Sequence, residues 1–397
     1  MPPGPPWSLA RGTAGNPVGG TGHGIRRWRL AVVAAGVSLA LVAAACSAGG
    51  GRPPQRIATP APHSSTGNAS PPIGPPQALQ ITPAAYQLPW GISREVVLAR
   101  GGELLIIGGL NQRSVTTSTV TQLDPVTGRT TWTGRLADAS HDAAGALLGG
   151  RPFLFGGGVS GSIAAIQSLR LGHTAAVAGQ LPGPRADLSS VTLGPAAYLV
   201  GGYDGASYAA AVLSTTDGTS FTTVAKLPVP IRYAAVAGTG NDIWVFGGET
   251  PAGPTGIIQR VNITTGRAAV VGHLPAALSG ATAFVLGGRI FVAGGQGAGT
   301  GAASRAVLAF DPARHSVTAS GTLPVGVSNA AAAVVGGTAF VVGGHAGRRQ
   351  LPSVTRVQLV PVTAGFSAVN PGTPVGSPAS VGDGSERVKI DERGRAT

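Results

Sequence analysis

The sequence predicts an all-β fold, a six-bladed β-propeller built from four-stranded blades. The main observation is a short apolar run that ends in two glycines and occurs six times. The first glycines of the pairs are 45 to 49 residues apart, a period typical of closed repeat architectures. They are Gly108, Gly156, Gly201, Gly247, Gly294 and Gly343. A chain with 64 glycines and only 11% charged residues also suits short strands joined by many turns.

Each repeat contains the signals of four short strands, as the unit around Gly247 shows. A strand of small residues at 234–237 and a turn precede the apolar run 243–246 that ends at the glycines. A third strand at 257–263, a second turn and a fourth strand that runs to Leu274 complete the unit. The run before the glycines is apolar at every position, which indicates a strand buried on both faces between adjacent blades. The two glycines indicate close approach of a neighbouring backbone or a positive φ.

Further residues recur after the glycine pairs. The first unit has Gly108-Gly109, Leu123-Asp124, Trp132 and Leu136. The fifth unit has Gly294-Gly295, Phe310-Asp311 and Leu323-Pro324. A glycine pair, an aromatic-aspartate pair, a tryptophan and a Leu-Pro segment in this order resemble the Kelch repeat, although the other units lose the aspartate or the tryptophan. The resemblance covers residues 79–365 and implies a propeller of four-stranded blades.

The N-terminal residues 1–46 have the layout of an export signal. Arg26, Arg27 and Arg29 precede an uncharged apolar run at 30–45, which is too short for a comfortable membrane span. Small residues lead to Cys46, the one cysteine of the chain. This ending resembles a bacterial lipoprotein signal, which implies cleavage before Cys46, lipidation of Cys46 and attachment to the outer face of the cell membrane. The alternative is a buried cysteine in an N-terminal anchor helix.

The segments on either side of the repeats are predicted to be disordered. Residues 47–78 are rich in Gly, Pro, Ser and Thr, which indicates a flexible tether. Residues 366–397 are polar and rich in turn residues, which indicates a tail. Neither segment has enough large apolar residues to form a core.

A propeller with six glycine pairs needs a last strand for its sixth blade. The segment 84–93 aligns with 223–232, where the fourth strand of another repeat is expected. The N-terminal segment is therefore predicted to complete the sixth blade, which would remove exposed edges and lock the ring. The alternative is a strand supplied by residues 363–369.

Candidate ligand-binding residues are predicted at one mouth of the channel. In a blade the first strand begins and the second strand ends on the same face, so the loops that flank these strands meet there. Fourteen residues before the glycine pairs stand Arg94, Asp142, Asp187, Tyr233, Gly280 and Asn329. The neighbouring positions and the loops after the glycines add His141, Arg185, Arg232, Tyr203, Glu249 and His345. Hydrogen-bonding groups beside tyrosines suit a sugar or a peptide, although polar groups at strand ends also serve to satisfy loop backbone and water.

We therefore expect a binding module of the bacterial cell envelope, a monomer that takes a protein or carbohydrate partner and needs no cofactor. The seven histidines are scattered, without the tight ligand cluster of a metal site. The arginines are dispersed along the chain, which argues against nucleic acid. Copper radical oxidases of this fold need a cysteine crosslinked to a tyrosine in the propeller, and Cys46 lies in the export signal. The alternative is a carbohydrate-active enzyme of sialic-acid mutarotase type, which would use an arginine and an acid at the mouth, such as Arg232 and Asp187.

Overall fold

Six antiparallel four-stranded sheets dominate the structure, a computed structural model that describes residues 77–298 and 301–362. In each sheet neighbouring strands follow one another in the chain, except that the last strand of the sixth sheet comes from the N-terminal side. The first strands of neighbouring sheets contact each other around the full circle, including those of the sixth and the first sheet. The sheets are the blades of a closed six-bladed propeller, so the predicted fold class is confirmed.

The bounds of the blade strands, from the channel outward, share one pattern of four. In blades 1 and 2 they are Val96–Arg100, Glu103–Ile107, Thr119–Leu123, Thr130–Arg135 and Ala144–Leu148, Arg151–Phe155, Ala165–Ser168, Ala176–Gln180. In blades 3 and 4 they are Ser189–Leu193, Ala196–Val200, Ala211–Thr215, Thr222–Lys226 and Ala235–Thr239, Asp242–Phe246, Ile257–Asn262, Ala268–His273. In blades 5 and 6 they are Ser279–Leu286, Arg289–Gln296, Ala306–Asp311, Ser316–Thr322 and Ala331–Val335, Thr338–Val342, Val354–Pro361, Gln77–Pro83.

Three short strand pairs lie in the loops next to the glycine pairs. They are Ile92–Ser93 with Leu110–Asn111, Glu249–Thr250 with Gly253–Pro254, and His345–Ala346 with Arg349–Gln350. In the part of the chain that the structure describes, no helix is long and apolar enough to cross a membrane.

The sixth blade is closed by a strand from the N-terminal side of the propeller. Gln77–Pro83 pairs antiparallel with Val354–Pro361, with Ile81 opposite Val357. The strand lies just ahead of the segment 84–93 that the sequence alignment indicated. That segment instead runs past the sixth blade, where the amide of Ala84 donates to the carbonyl of Val354. The alternative strand at 363–369 lies outside the described residues, as do the predicted export signal and tail.

The hydrophobic core lies between the blades. In blade 4, Ile243 and Val245 pack against blade 3, while Trp244 and Phe246 face blade 5. Both aromatic rings contact Phe310 of blade 5, with centroids 5.0 and 5.1 Å away. All four side chains of the run are at most 1% exposed. A strand buried on both faces explains the unbroken apolar run, and it means that no blade buries its faces alone.

The first glycine of each pair is required by the neighbouring blade. A Cβ atom on Gly201 would lie less than 3.0 Å from the carbonyl oxygen of Ile231, at the start of the next blade. The same clash with a carbonyl of the next blade occurs at all six first glycines, and each has a positive φ. The amide of Gly202 donates to the same carbonyl at 2.8 Å. The glycine pair therefore fastens one blade to the next through the backbone.

A closed ring of backbone hydrogen bonds encircles one end of the channel. Six residues, one from each blade, each donate an N–H to the carbonyl of the preceding member at 2.7 to 3.1 Å. All six have a positive φ between 52° and 65°. They are Arg94, Asp142, Asp187, Tyr233, Gly280 and Asn329, the positions fourteen residues before the glycine pairs. The ring therefore points one residue of every blade toward the same opening, which we call the mouth.

The clash at the first glycine predicts a specific loss of stability. Gly201→Ala should lower the free energy of unfolding by about 3 kcal/mol, because the new Cβ strains the backbone and collides with the next blade. Gly194→Ala in the same blade is the matched control, since Gly194 has φ +59° but no atom within 4 Å of the added Cβ. The control should cost about 1–2 kcal/mol from the backbone conformation alone. Equal losses in denaturant unfolding would contradict the proposed role of the contact.

Candidate functional site

The six ring residues surround one cavity at the mouth. The cavity has a volume of about 110 Å³, and Arg94, Asp142, Asp187, Tyr233 and Asn329 line it with side chains of mixed charge. Behind the ring the channel continues as a second cavity of about 580 Å³, walled by the first strands of the blades. The structure therefore brings the central candidates together, although they lie up to 235 residues apart in sequence.

Arg94 organises one side of the mouth. Its Nη1 donates to Asp142 Oδ2 at 2.6 Å and to the hydroxyl of Tyr233 at 2.9 Å. The guanidinium also lies over the Tyr233 ring, 5.3 Å from its centroid. The Tyr233 hydroxyl in turn lies 3.5 Å from Asp142 Oδ2. Burial, followed by the charge of Asp142, raises the pKa of Tyr233, so its hydroxyl stays protonated.

Arg232 organises the other side. It forms ion pairs with Asp187 at 3.2 Å and with Glu249 at 2.7 Å. Three tyrosine rings surround its guanidinium, with the centroids of Tyr203, Tyr208 and Tyr233 at 5.4, 5.0 and 5.2 Å. A cation over an aromatic face is attracted by the ring quadrupole, and Tyr203 and Tyr208 also pack edge to face. Arg232 is therefore held in one orientation from several sides.

The two aspartates of the ring influence each other's protonation. Burial, and then the negative charge of Asp142, raises the pKa of Asp187 to about 6. Burial also raises the pKa of Asp142, although Arg94 opposes the shift. The side chain of each is only 7% exposed. The pair therefore takes up a proton closer to neutrality than free carboxyl groups do, and the titration belongs to the pair.

The two histidines at the mouth are held in neutral form. His141 contacts Thr116 Oγ1 through Nδ1 at 2.9 Å, and burial followed by the charge of Arg94 lowers its pKa. His345 Nε2 lies 3.1 Å from the amide nitrogen of Asn329, and its Nδ1 lies 3.0 Å from the carbonyl of Gly347. Burial is the main cause that lowers the pKa of His345. Both imidazoles therefore act as fixed hydrogen-bonding groups.

Arg185 is the predicted residue that joins none of these networks. Its Nη1 donates to the backbone carbonyl of Ala211 at 3.2 Å. Burial lowers its pKa, with Asp204 as the nearby acid that opposes the shift. Arg185 thus serves the packing of its blade more than the network at the mouth.

Two residues at the mouth were missed by the sequence analysis. Tyr208 stacks with Arg232 but lies farther along its loop than Tyr203, where the repeat provides no reference position. Glu95 follows Arg94 at a position that is small or apolar in the other blades. The signal was present in the sequence as one exception among Ala143, Leu188, Ala234, Ala281 and Ala330.

Glu95 is a buried carboxyl group without a cationic partner. It is 6% exposed and lines both the mouth cavity and the channel behind it. Its Oε1 accepts a hydrogen bond from the amide of Ala331 at 3.4 Å, whereas Oε2 has no hydrogen-bond partner among the described residues. Burial raises the pKa of Glu95 from 4.5 to about 8. Glu95 is therefore protonated at neutral pH.

No group of three or more His, Cys, Asp or Glu side chains that could hold a metal ion occurs within residues 77–298 and 301–362. The chemistry that these side chains can offer is hydrogen bonding, ring stacking and proton exchange near neutral pH.

Comparisons with known proteins show the fold and nothing finer. No protein-family model matches the chain, and a search of curated proteins found no match. Among solved structures the chain is similar to one described as "Structure of YjhT", with a TM-score of 0.57 and 16% identity. The match covers 69% of this chain and 99% of that chain. At this identity the likeness supports the six-bladed propeller alone.

The buried acid predicts a pH-dependent stability difference. Because the folded state holds the proton of Glu95 more tightly than the unfolded chain does, the wild-type protein loses stability as the pH rises from 4.5 to about 8. Glu95→Gln removes this loss, so it should be more stable than wild type at neutral pH by about 1–3 kcal/mol. The advantage should vanish toward the acid end of the range. Parallel curves of unfolding free energy against pH would show that Glu95 is not protonated in the fold.

Proposed function

We propose that this protein is an exported, lipid-anchored propeller of Kelch type that binds a carbohydrate at its mouth, as a binding module of the bacterial cell envelope. The observation that carries the proposal is the arrangement around Arg232, where three tyrosine rings and two carboxylates meet at a concave opening. Ligand sites combine aromatic surface with a few well-placed polar groups. Tyrosine surface suits the C–H face of a sugar, while the charged groups suit its hydroxyls.

The charges at the mouth favour a polyhydroxyl ligand over a strongly charged one. Arg94 already pairs with Asp142, and Arg232 already pairs with Asp187 and Glu249. A ligand therefore meets neutralised pairs that still offer free lone pairs and N–H groups. The cavity of about 110 Å³ admits a group of a few atoms, which fits the edge of one sugar ring better than a peptide segment.

The envelope location is inferred from the N-terminal sequence. Residues 26–46 carry the basic start, apolar run and terminal cysteine of a lipoprotein-type signal. The segment 47–78 has the composition of a flexible tether. Such a tether would hold the propeller near the membrane while leaving the mouth free to meet a ligand.

A second candidate function is a carbohydrate-active enzyme of sialic-acid mutarotase type. The specific observation in its favour is the pair of Asp142 and Asp187, of which Asp187 has a pKa of about 6. Anomer interconversion needs a group that gives a proton and a group that takes one, each with a pKa near the working pH. The hydroxyl of Tyr233 between the two acids could carry the proton from one to the other.

Sugar binding is tested by calorimetric titration of a panel of neutral and acidic monosaccharides, including N-acetylneuraminic acid. For a sugar that binds, Arg232→Ala should weaken the affinity by about tenfold or more, because it removes charged hydrogen bonds and the support of three tyrosines. Arg260→Ala is the matched control, since Arg260 pairs with Asp242 at 2.8 Å and stacks on Trp244 at 5.6 Å at the other end of blade 4.

Three outcomes of the titration are decisive. Equal losses in the Arg232 and Arg260 variants, or no binding by any sugar, would overturn the proposed site. NMR of the bound sugars reports the exchange between their anomers. Exchange that the protein accelerates, and that Asp187→Asn abolishes, would favour the enzyme over the binding module.

Lipid anchoring is tested by Cys46→Ala in the full chain. The wild-type protein should partition with the membrane fraction of a bacterial host, because the acyl chains on Cys46 would hold it there. The variant should lose the mass of the lipid and leave that fraction. A variant that stays with the membrane would contradict the anchor.

A further inference from the structure

A pocket on the face opposite the mouth is surrounded by arginines. It has a volume of about 270 Å³ and is lined by Arg100, Arg151, Arg170 and the turn Gly149-Gly150. Arg100 ends the strand that starts beside the ring, and Arg151 begins the strand that ends at Gly156. Both therefore lie at the far end of their strands from the mouth. We call this site the arginine pocket.

The arginine pocket carries positive charge without a neutralising acid. No aspartate or glutamate lines it. Among the described residues, none of the three arginines forms an ion pair. Like charges around one concave site repel each other and focus a positive potential there, which attracts anions. The pocket is thus unlike the mouth, where every arginine of the ion-pair network has an acid.

Contacts within the protein hold two of the guanidinium groups in position. Arg151 donates from Nη2 to Ser168 Oγ at 2.9 Å and lies over the Phe153 ring, 5.6 Å from its centroid. Arg100 Nε lies 3.4 Å from the carbonyl of Gly150. These contacts use one N–H of each group and leave others free. A guanidinium that is already oriented loses less entropy when it binds an anion.

The propeller fold itself does not require this cluster. The corresponding end of blade 4 pairs Arg260 with Asp242, and that of blade 1 bonds Gln122 to Glu103. Blade 5 repeats a single feature of the arginine pocket, because Arg289 lies over Phe291 at 5.3 Å. Three unpaired arginines around one cavity occur between blades 1 and 2.

We propose that the arginine pocket binds a phosphate group. A guanidinium presents two parallel N–H groups that match the oxygens of phosphate. A phosphate group offers three acceptor oxygens and up to two negative charges, which suits three arginines better than the single charge of a carboxylate. The volume of about 270 Å³ accommodates one such group with part of the molecule that it esterifies. A lipid headgroup and a soluble phosphate share this chemistry.

The test is a titration of the full chain with inorganic phosphate and pyrophosphate at low ionic strength. Arg151→Ala and Arg170→Ala should each weaken binding by about tenfold, because each removes charged hydrogen bonds. Arg289→Ala removes the same charge from a matching stacked position and should leave binding within about twofold of wild type. Arg170 is exposed, so its replacement does not threaten folding. Equal losses in the Arg289 and Arg170 variants would overturn the pocket in favour of unspecific attraction.

Vesicles distinguish the two sources of phosphate. Binding to phosphatidylglycerol vesicles in excess of phosphatidylcholine vesicles, lost in Arg170→Ala and kept in Arg289→Ala, would identify a lipid headgroup. Binding of the soluble phosphates alone, with the same dependence on the two variants, would identify a free phosphate. If neither the soluble phosphates nor the anionic vesicles bind, the proposal is wrong. None of these outcomes depends on the sugar site at the mouth.

Discussion

The backbone contact between one blade and the next is the interaction on which this propeller depends. Each first glycine leaves room for a carbonyl oxygen of the following blade, and in blade 3 the amide of Gly202 then binds the carbonyl that Gly201 accommodates. A ring of six further backbone hydrogen bonds closes the circle at the mouth. These contacts use groups that every residue carries, so the side chains around them are free to vary. That freedom separates the scaffold from the site.

The ring also has a conformational cost that bears on function. Its members adopt positive φ, where residues other than glycine are disfavoured by about 1 kcal/mol or more. Glycine would serve the ring best, yet only blade 5 uses it, at Gly280. Aspartate and asparagine tolerate this conformation, whereas Arg94 and Tyr233 do not gain from it. Side chains retained at such positions, and bonded to one another, support the proposal that the mouth recognises a ligand.

The two ends of the channel offer opposite electrostatic environments. At the mouth, arginines are paired with acids and stacked on tyrosines, so the opening is polar but nearly neutral. At the other face the arginine pocket is unpaired. Between them Glu95 is buried without a partner, and burial shifts its pKa to about 8. One small domain can therefore present two surfaces that suit chemically different ligands, held at opposite ends of one rigid ring of blades.

The repeat period alone determined the six blades, the doubly buried second strands and the six positions at the mouth, because glycine pairs and apolar runs reflect contacts that recur in every blade. The tertiary structure decided the rest. It placed the closing strand at Gln77–Pro83, ahead of the segment that the alignment indicated. It joined Arg94 to Tyr233 across 139 residues, and it isolated Glu95. Such pairings depend on which side chains of different blades meet across the channel, and a pattern that repeats along the chain carries no information about distances across the ring.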